Sequence, residues 1–230
     1  MINRKDWDSI FFGYPVAEYI INSGEAFDAL NFKVECANFK LVYVFSQNEL
    51  IEDTNLKLAD KKVVFSKELF EDKVADDNSI IEFNPEVHSY DELLNLTLLS
   101  GMYSRFYLDT KFVNNEYFRL YKEWLDKSIS KEIAQHILVK VINHKIAGFI
   151  TLKKINSQTA QIGLIAVDEK FQRENIGTSL IRKAESLLKQ QDCSLLDVIT
   201  QLDNKPGCNL YKKNNFSLKK IIYTYHFWNV

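Results

Sequence analysis

Between Val167 and Ile181 the chain reads VDEKFQRENIGTSLI. An apolar run, QIGLIAV, leads into it, and an amphipathic run, IGTSLIRKAESLL, leaves it. That pattern predicts a strand, a short polar loop and a helix. The first four N–H groups of a helix lack intrahelical partners, and the helix dipole adds positive potential there. Such a loop can hold an anion, a phosphate above all. Gln172, Arg173, Glu174, Asn175, Ile176, Gly177 and Thr178 would surround it. Gly177 has no Cβ, which lets a ligand approach the backbone. Asn175 stands where a second glycine is expected, and Asn is the non-glycine residue most tolerant of the left-handed conformation. The plain alternative is an ordinary strand–loop–helix connection. Some thirty residues on, TQLDNKPGCNLYKKNNF places Asn204 as an N-cap to a short helix. Tyr211 lies on that helix, where an aromatic is by default a packing residue.

These residues need a scaffold, and the second half of the chain supplies a legible one. NNEYFRLYKEWLDKSIS puts Tyr117, Leu120, Tyr121, Trp124 and Leu125 on one helical stripe. Three strands are predicted next, HILVKVI, KIAGFITLKKI and TAQIGLIAV, with a compact hairpin turn at Asn143–Lys145. The helix after the loop is followed by a strand, SLLDVIT, a short helix, GCNLYKKN, and a last strand, FSLKKIIYTYHFW. In the first half, WDSIFFGYPV is an aromatic stretch, EAFDALNFKVECANF is helix-like, and KLVYVFS, KKVVFSKEL and NSIIEF read as strands. SYDELLNLTLLSGM reads as a capped helix. Hairpins followed by a crossover helix predict an α/β chain whose mixed, mostly antiparallel sheet has helices on both faces. The expected division is an N-terminal α/β subdomain over residues 1–99 and a second domain over 100–230.

Composition narrows the classes. A net charge of −2 with evenly spread Lys and Arg argues against a nucleic-acid binder. No apolar run reaches the length of a membrane span, and the N-terminal stretch shows no signal-peptide core. Three cysteines without CxxC spacing are expected to be free thiols in a reducing cytoplasm. Four scattered histidines give no metal-ligand spacing.

LIAVDEKFQRENIGTSLI resembles the acetyl-CoA-binding motif of the GNAT (GCN5-related) N-acetyltransferases: Gln172 and Gly177 match, and Asn175 replaces the first glycine. The next motif of that family is matched by Asn204, Leu210, Tyr211 and Phe216, with Asn215 replacing a glycine. The stretches WDSIFFGYPV, SRFYLDTKF and YTYHFW further resemble the sugar-nucleotide branch of the family, typified by dTDP-fucosamine acetyltransferase.

The resemblance implies a GNAT fold in which strands QIGLIAV and SLLDVIT splay apart and pantetheine lies in the gap. It implies that Ile165 N–H holds the thioester oxygen, that Ala166 and Val167 bond the pantetheine amides, and that Gln172–Thr178 wrap the pyrophosphate. Asn204 would bond pantetheine or order its loop, and Tyr211 would protonate the departing CoA thiolate. Several relatives carry a carboxylate where Gln161 begins the strand, so the general base stays open among water, backbone carbonyls, Asp8, Glu35, Asp109 and His226. For a nucleotide-linked acceptor, Arg105 would bind phosphates, and Trp7, Phe12, Tyr14, Tyr107 or Tyr223 would stack on the base, with Asp8 nearby. The expected activity is transfer of an acetyl or other short acyl group from acyl-CoA to a dTDP-linked amino-dideoxy sugar. It would run by direct attack in a ternary complex, without a metal, in a possible homodimer. Other amine acceptors, or acyl-CoA binding without catalysis, are the alternatives.

Overall fold

The computed structural model describes residues 2–22, 24, 27–50, 56–69 and 77–229. They form two compact units, and the division differs from the expected one. The first unit holds residues 1–63, 201–203 and 220–230; the second holds 64–200 and 204–219. The reason lies in strand pairing. The last strand returns to the N-terminal segment, so the boundary cannot be a single point in the sequence.

In the first unit, β1 (Ile2–Arg4) pairs antiparallel with β2 (Val16–Ile21), which runs parallel to β3 (Leu41–Ser46). β3 pairs antiparallel with β10 (Ser217–Trp228), in register from Leu41↔Trp228 to Ser46↔Tyr223. The aromatic stretch is a helix, α1 (Asp6–Phe12), closed by Gly13 in the left-handed conformation at φ 79°. α2 (Ala29–Cys36) is capped by Asp28, whose carboxylate accepts from Leu30 and Asn31 N–H. The predicted helix-like run starts earlier, on Glu25 and Ala26, which lie outside the described residues. Phe32 is the hub of this core, ringed by Tyr19, Phe27 and Phe227 at about 5 Å.

β4 (Lys57–Glu68) and β10 each contribute residues to both units. In the second unit, β5 (Ile80–Glu82), β6 (His136–Ile142), β7 (Lys145–Lys154) and β8 (Thr159–Val167) form an antiparallel run. β9 (Leu195–Gln201) joins β8 in parallel. The sheet is mixed and mostly antiparallel, as its sequence pattern predicts. The β6–β7 turn takes positive φ at both Asn143 and His144, the geometry of a two-residue hairpin. α3 (Tyr90–Ser100), α4 (Arg105–Leu108) and α5 (Glu116–Ile129) precede β6. Leu93, Leu96 and Leu125 pack with Ile137, Val139 and Phe149. α6 (Ile176–Lys189) buries Leu180, Ile181, Ala184 and Leu188. α7 (Lys205–Lys213) buries Cys208 and Tyr211.

Candidate active site

The parallel pairing of β8 and β9 runs from Thr159↔Leu195 to Ile162↔Val198 and stops there. Both strands continue, β8 to Val167 and β9 to Gln201. β8 is bulged at the same place: its register with β7 shifts between the pairs Leu152↔Ile162 and Ile150↔Ile165. A bulge adds a residue and bends its strand. Here Gly163 and Leu164 stand opposite Thr151. Leu164 N–H donates to the Thr151 hydroxyl at 2.8 Å, and a Cβ on Gly163 would lie 2.8 Å from that oxygen.

Backbone direction along the rest of β8 follows from alternation. Asp168 N–H donates to Ala147 O at 2.9 Å, so residue 168 faces β7. Ala166 then faces β7 as well, and its carbonyl oxygen lies against Gly148. Ile165 and Val167 face the other way, into the opening left by β9. The sequence expectation that Ala166 would serve the opening with its backbone is corrected here, because its polar groups lie on the β7 side. Leu164 to Val167 are half-exposed rather than buried on both faces.

The loop after β8 begins with a 3-10 turn, Glu169–Phe171. The Gln172 side chain folds back to donate to Val167 O at 3.3 Å, which makes it a brace between loop and strand. Arg173 and Asn175 both take positive φ, 67° and 60°. Asn175 is the N-cap of α6 and makes no side-chain cap bond. The N–H groups of the first turn therefore face outward with no partner from their own cap. Gly177 is a correction. Its missing Cβ is not an approach for a ligand, because Leu210 of α7 fills that side, with Cδ2 3.1 Å from where the Cβ would stand. The Thr178 hydroxyl accepts from the Asn214 amide at 3.2 Å, a second contact between α6 and α7.

α7 begins at Asn204, which acts as its cap: Oδ1 accepts from Gly207 N–H and Nδ2 donates to the Thr200 hydroxyl, each at 3.0 Å. A Cβ at Gly207 would collide with that side chain, so KPGC is shaped to admit the cap. The helix ends on Asn215 at φ 64°, and Phe216 N–H closes onto Tyr211 O at 3.0 Å. Tyr211 is buried between the rings of Phe65 and Phe216, at 5.8 and 5.7 Å. Burial raises its phenol pKa, with the neighbouring Cys208 adding to the rise, so the hydroxyl keeps its proton throughout the physiological range.

A family model described as Acetyltransferase (GNAT) family matches residues 99–216, just over half of the 230. The chain belongs to the GNAT acetyltransferase family. The human N-alpha-acetyltransferase 30 is 34% identical over 65 residues, 28% of this chain and 18% of that one. An uncharacterized N-acetyltransferase of Methanocaldococcus jannaschii is 28% identical over 105 residues, 43% of this chain and 46% of its own length. This chain thus spans less than half the length of these curated relatives. A tandem GNAT protein from the clavulanic acid biosynthesis pathway has the same fold, with TM-score 0.56 at 12% identity, covering 94% of this chain and 76% of that one.

The acceptor residues expected of this GNAT chain fall into two groups. Trp7, Asp8, Phe12 and Tyr14 come together on α1 and the turn after it. Trp7 is 41% exposed and stacked on Phe11 at 5.0 Å, whereas Phe12 is buried and stacked on Tyr14 at 5.8 Å. The Tyr43 hydroxyl donates to Asp8 at 3.3 Å, and the buried His226 ring lies 5.3 Å from Tyr43. Tyr223 sits in the same unit, under the Lys61 ammonium at 5.4 Å. Arg105 and Tyr107 belong to the second unit. Arg105 is buried, its guanidinium 4.5 Å from the Phe106 ring, and Tyr107 is half-exposed against Tyr117 at 5.0 Å. Among the base nominees, Glu35 is taken up by Asn31 on the surface of α2, and Asp109 accepts from Lys111 N–H at the end of α4. Gln161 lies in the paired part of β8, opposite Asp197, whose carboxylate accepts from Ser66 at 2.5 Å. Sequence reasoning missed Thr151 and Lys213; neither carries a pattern beyond an ordinary strand threonine and a basic last turn. Among the described residues there is no cluster of potential metal ligands, and no helix is long and apolar enough to cross a membrane.

Proposed function

We propose that this chain is an N-acyltransferase that moves a short acyl group from acyl-CoA to an amine by direct attack in a ternary complex. The observation that carries the reading is the opening between β8 and β9, where the backbone of Ile165 and the N–H of Val167 face away from β7 after the ladder ends at Ile162↔Val198. Extended pantetheine carries amides that pair with such an edge as a strand would. Farther along, the outward N–H groups of α6 suit the phosphates of the donor.

The chemistry follows from the residues in place. Ile165 N–H is fixed before charge develops and stabilises the oxygen of the thioester carbonyl as a neutral amine attacks. The new C–N bond forms as the C–S bond breaks. The Tyr211 phenol hands its proton to the leaving sulfur, and the amine proton leaves to water. Cys36, Cys193 and Cys208 are free and buried, and burial beside Glu35 pushes the Cys36 thiol up to about 12. None is suited to carry the acyl group covalently. Buried free thiols also fit a reducing cytoplasm.

For the acceptor we propose an amino-dideoxy sugar linked to dTDP. The exposed Trp7, stacked on the half-buried Phe11 of α1 within the aromatic stretch that resembles the sugar-nucleotide branch, supports a planar ligand. A second reading is the N-terminal amine of a protein, favoured by the identity to N-alpha-acetyltransferase 30. A homodimer rests on the family resemblance alone. The test is a thiol-release assay with acetyl-CoA, dTDP-amino sugars and short peptides, run beside Tyr211→Phe. Turnover on a sugar that falls at least about tenfold in the variant supports the whole reading. Turnover on peptides alone moves the acceptor to a protein N-terminus. CoA binding with no turnover on any amine makes the chain a binding module.

A further inference from the structure

The sheet of the first unit has two unlike faces. One carries Val42, Val44, Tyr225 and Phe227, and α2 packs on it with Phe32 and Cys36. The other mixes rings with polar groups: Tyr43 and Phe45 of β3 pair with His226 and Thr224 of β10. β4 lies beside β10 in the same sheet. The Lys62 ammonium lies 4.9 Å from the centre of the Phe45 ring, which puts Lys62 on this second face. Asp60, two residues earlier in β4, shares the face by alternation. Asp60 and Thr224 therefore stand on adjacent strands and point the same way.

Buried polar groups are almost always hydrogen-bonded. Asp60 is 7% exposed, and its Oδ1 has no hydrogen-bond partner. Thr224 is fully buried, and its hydroxyl has none either. The two lysines beside Asp60 are engaged elsewhere: Lys62 turns to Phe45, and Lys61, on the opposite face, pairs with Glu49 at 3.1 Å. A buried carboxylate without a cation is costly to the fold, and the cost is relieved when a cationic donor arrives. Phe45 and Lys62 are half-buried, so this part of the face reaches the surface of the unit. A carboxylate only accepts hydrogen bonds, so its partner must bring N–H or O–H groups. A buried negative charge favours a cation over a hydroxyl. Neighbouring strands lie about 4.8 Å apart, a span that one ammonium bridges with two hydrogen bonds of about 2.9 Å.

Resting on the amine-acceptor reading above, we infer that Asp60 and Thr224 form a subsite for the ammonium group of the acceptor. Both proposed acceptor classes, the amino sugar and the protein N-terminus, present such a group. The Asp60 carboxylate accepts a charge-assisted hydrogen bond from it, and the Thr224 hydroxyl accepts a second. The subsite lies wholly within the first unit and acts in binding; the amine still loses a proton to water before it attacks.

The test is calorimetric titration of the intact protein, without acyl-CoA, with matched pairs of ligands. One pair is a dTDP-amino-dideoxy sugar and the same sugar with a hydroxyl in place of the amine. The other is a short peptide with a free and with an acetylated N-terminus. Wild-type protein should bind the amine member of one pair at least about tenfold more tightly than its match. Asp60→Asn should remove that preference, weakening the amine member about tenfold and leaving the other within about twofold. Thr224→Val should weaken the amine member about threefold. Ligand-free Asp60→Asn should melt about 2–4 °C above the wild type, because a buried amide costs less than a buried carboxylate without a cation. A preference kept in Asp60→Asn would overturn the proposal and leave a buried water as the partner of the pair. Equal loss on both members would mean packing, and a lower melting temperature would mean that the carboxylate holds the fold; either result overturns it. Wild-type protein that binds CoA but neither amine would instead overturn the amine-acceptor reading, and the subsite with it.

Discussion

Ile165 would act through its backbone, which substitution of its own side chain does not remove. Thr151 offers an indirect route. Its side chain is 2% exposed, and its hydroxyl takes the Leu164 N–H that the bulge has displaced from the β7 ladder. Thr151→Val keeps the shape and removes the acceptor. Leu164 N–H then loses its partner, a cost of about 1–3 kcal/mol, toward the lower end because Leu164 is only half-buried and water can reach it. The bulge relaxes to recover a bond, and Ile165, the next residue, turns with it. Loss of a full oxyanion donor costs roughly 2.7–4 kcal/mol in the barrier, so partial misalignment by half of that lowers kcat about tenfold. KM for acetyl-CoA should move little, since the α6 end of the site is untouched. Thr151→Ser retains the hydroxyl and should keep kcat within about threefold. The assay is steady-state thiol release, with thermal melting to check folding and CoA titration to check the donor site. A valine variant that folds normally and keeps kcat within twofold would refute the idea that Thr151 sets the direction of the Ile165 N–H.

Three further predictions rest on separate contacts. Asn175 already sits at φ 60°, so Asn175→Gly should hold CoA affinity within about threefold, while Asn175→Val puts a β-branched residue in the left-handed region and should weaken it more than tenfold by titration. Equal affinity in the valine variant would show that the loop does not need this conformation. Gly177→Ala drives a methyl against Leu210 and should destabilise the fold by about 1–3 kcal/mol in denaturant melts. Combined with Leu210→Ala the losses should fall short of their sum by at least about 0.5 kcal/mol; strict additivity would mean the glycine is not there for the α6–α7 contact. Burial raises the phenol pKa of both Tyr211 and Tyr117. The folded state thus favours their neutral forms, so their contribution to stability is complete below the ordinary phenol pKa of about 10 and is lost as pH rises beyond it. Alkaline melts should show that decline, and Tyr117→Phe with Tyr211→Phe should flatten it.

The legible parts of this chain were those governed by local periodicity and turn chemistry. The β6–β7 turn, the Ser89 cap of α3 and the strand–loop–helix from Thr159 to Lys189 all follow from residues within one element of each other. The division into units did not, because it depends on β10 finding β3 some 180 residues away, and no property of either strand names its partner. The splay of β8 and β9 entered by family resemblance rather than from the residues, and the bulge that accompanies it stayed hidden. A threonine in the middle of GFITLKK looks like any strand residue until Gly163 is seen to leave room for its hydroxyl.

The two exchanges of glycine for asparagine bear on whether the site is intact. Loss of a glycine from a phosphate loop normally argues for decay, because most side chains cannot follow the backbone into the left-handed region. Both asparagines follow it, at φ 60° and 64°. The first also gains a contact that glycine cannot make, its side chain bonded to Lys213. The second closes α7 so that Phe216 N–H returns to Tyr211 O, directly behind the phenol proposed to donate the proton. An asparagine is less free than a glycine in the unfolded chain, so each exchange also lowers the entropy lost when the loop orders. Decay would leave the backbone conformations free to drift and the surrounding contacts unmade. Here both conformations persist and the Asn175 side chain is engaged, as the anion-holding loop proposed above requires.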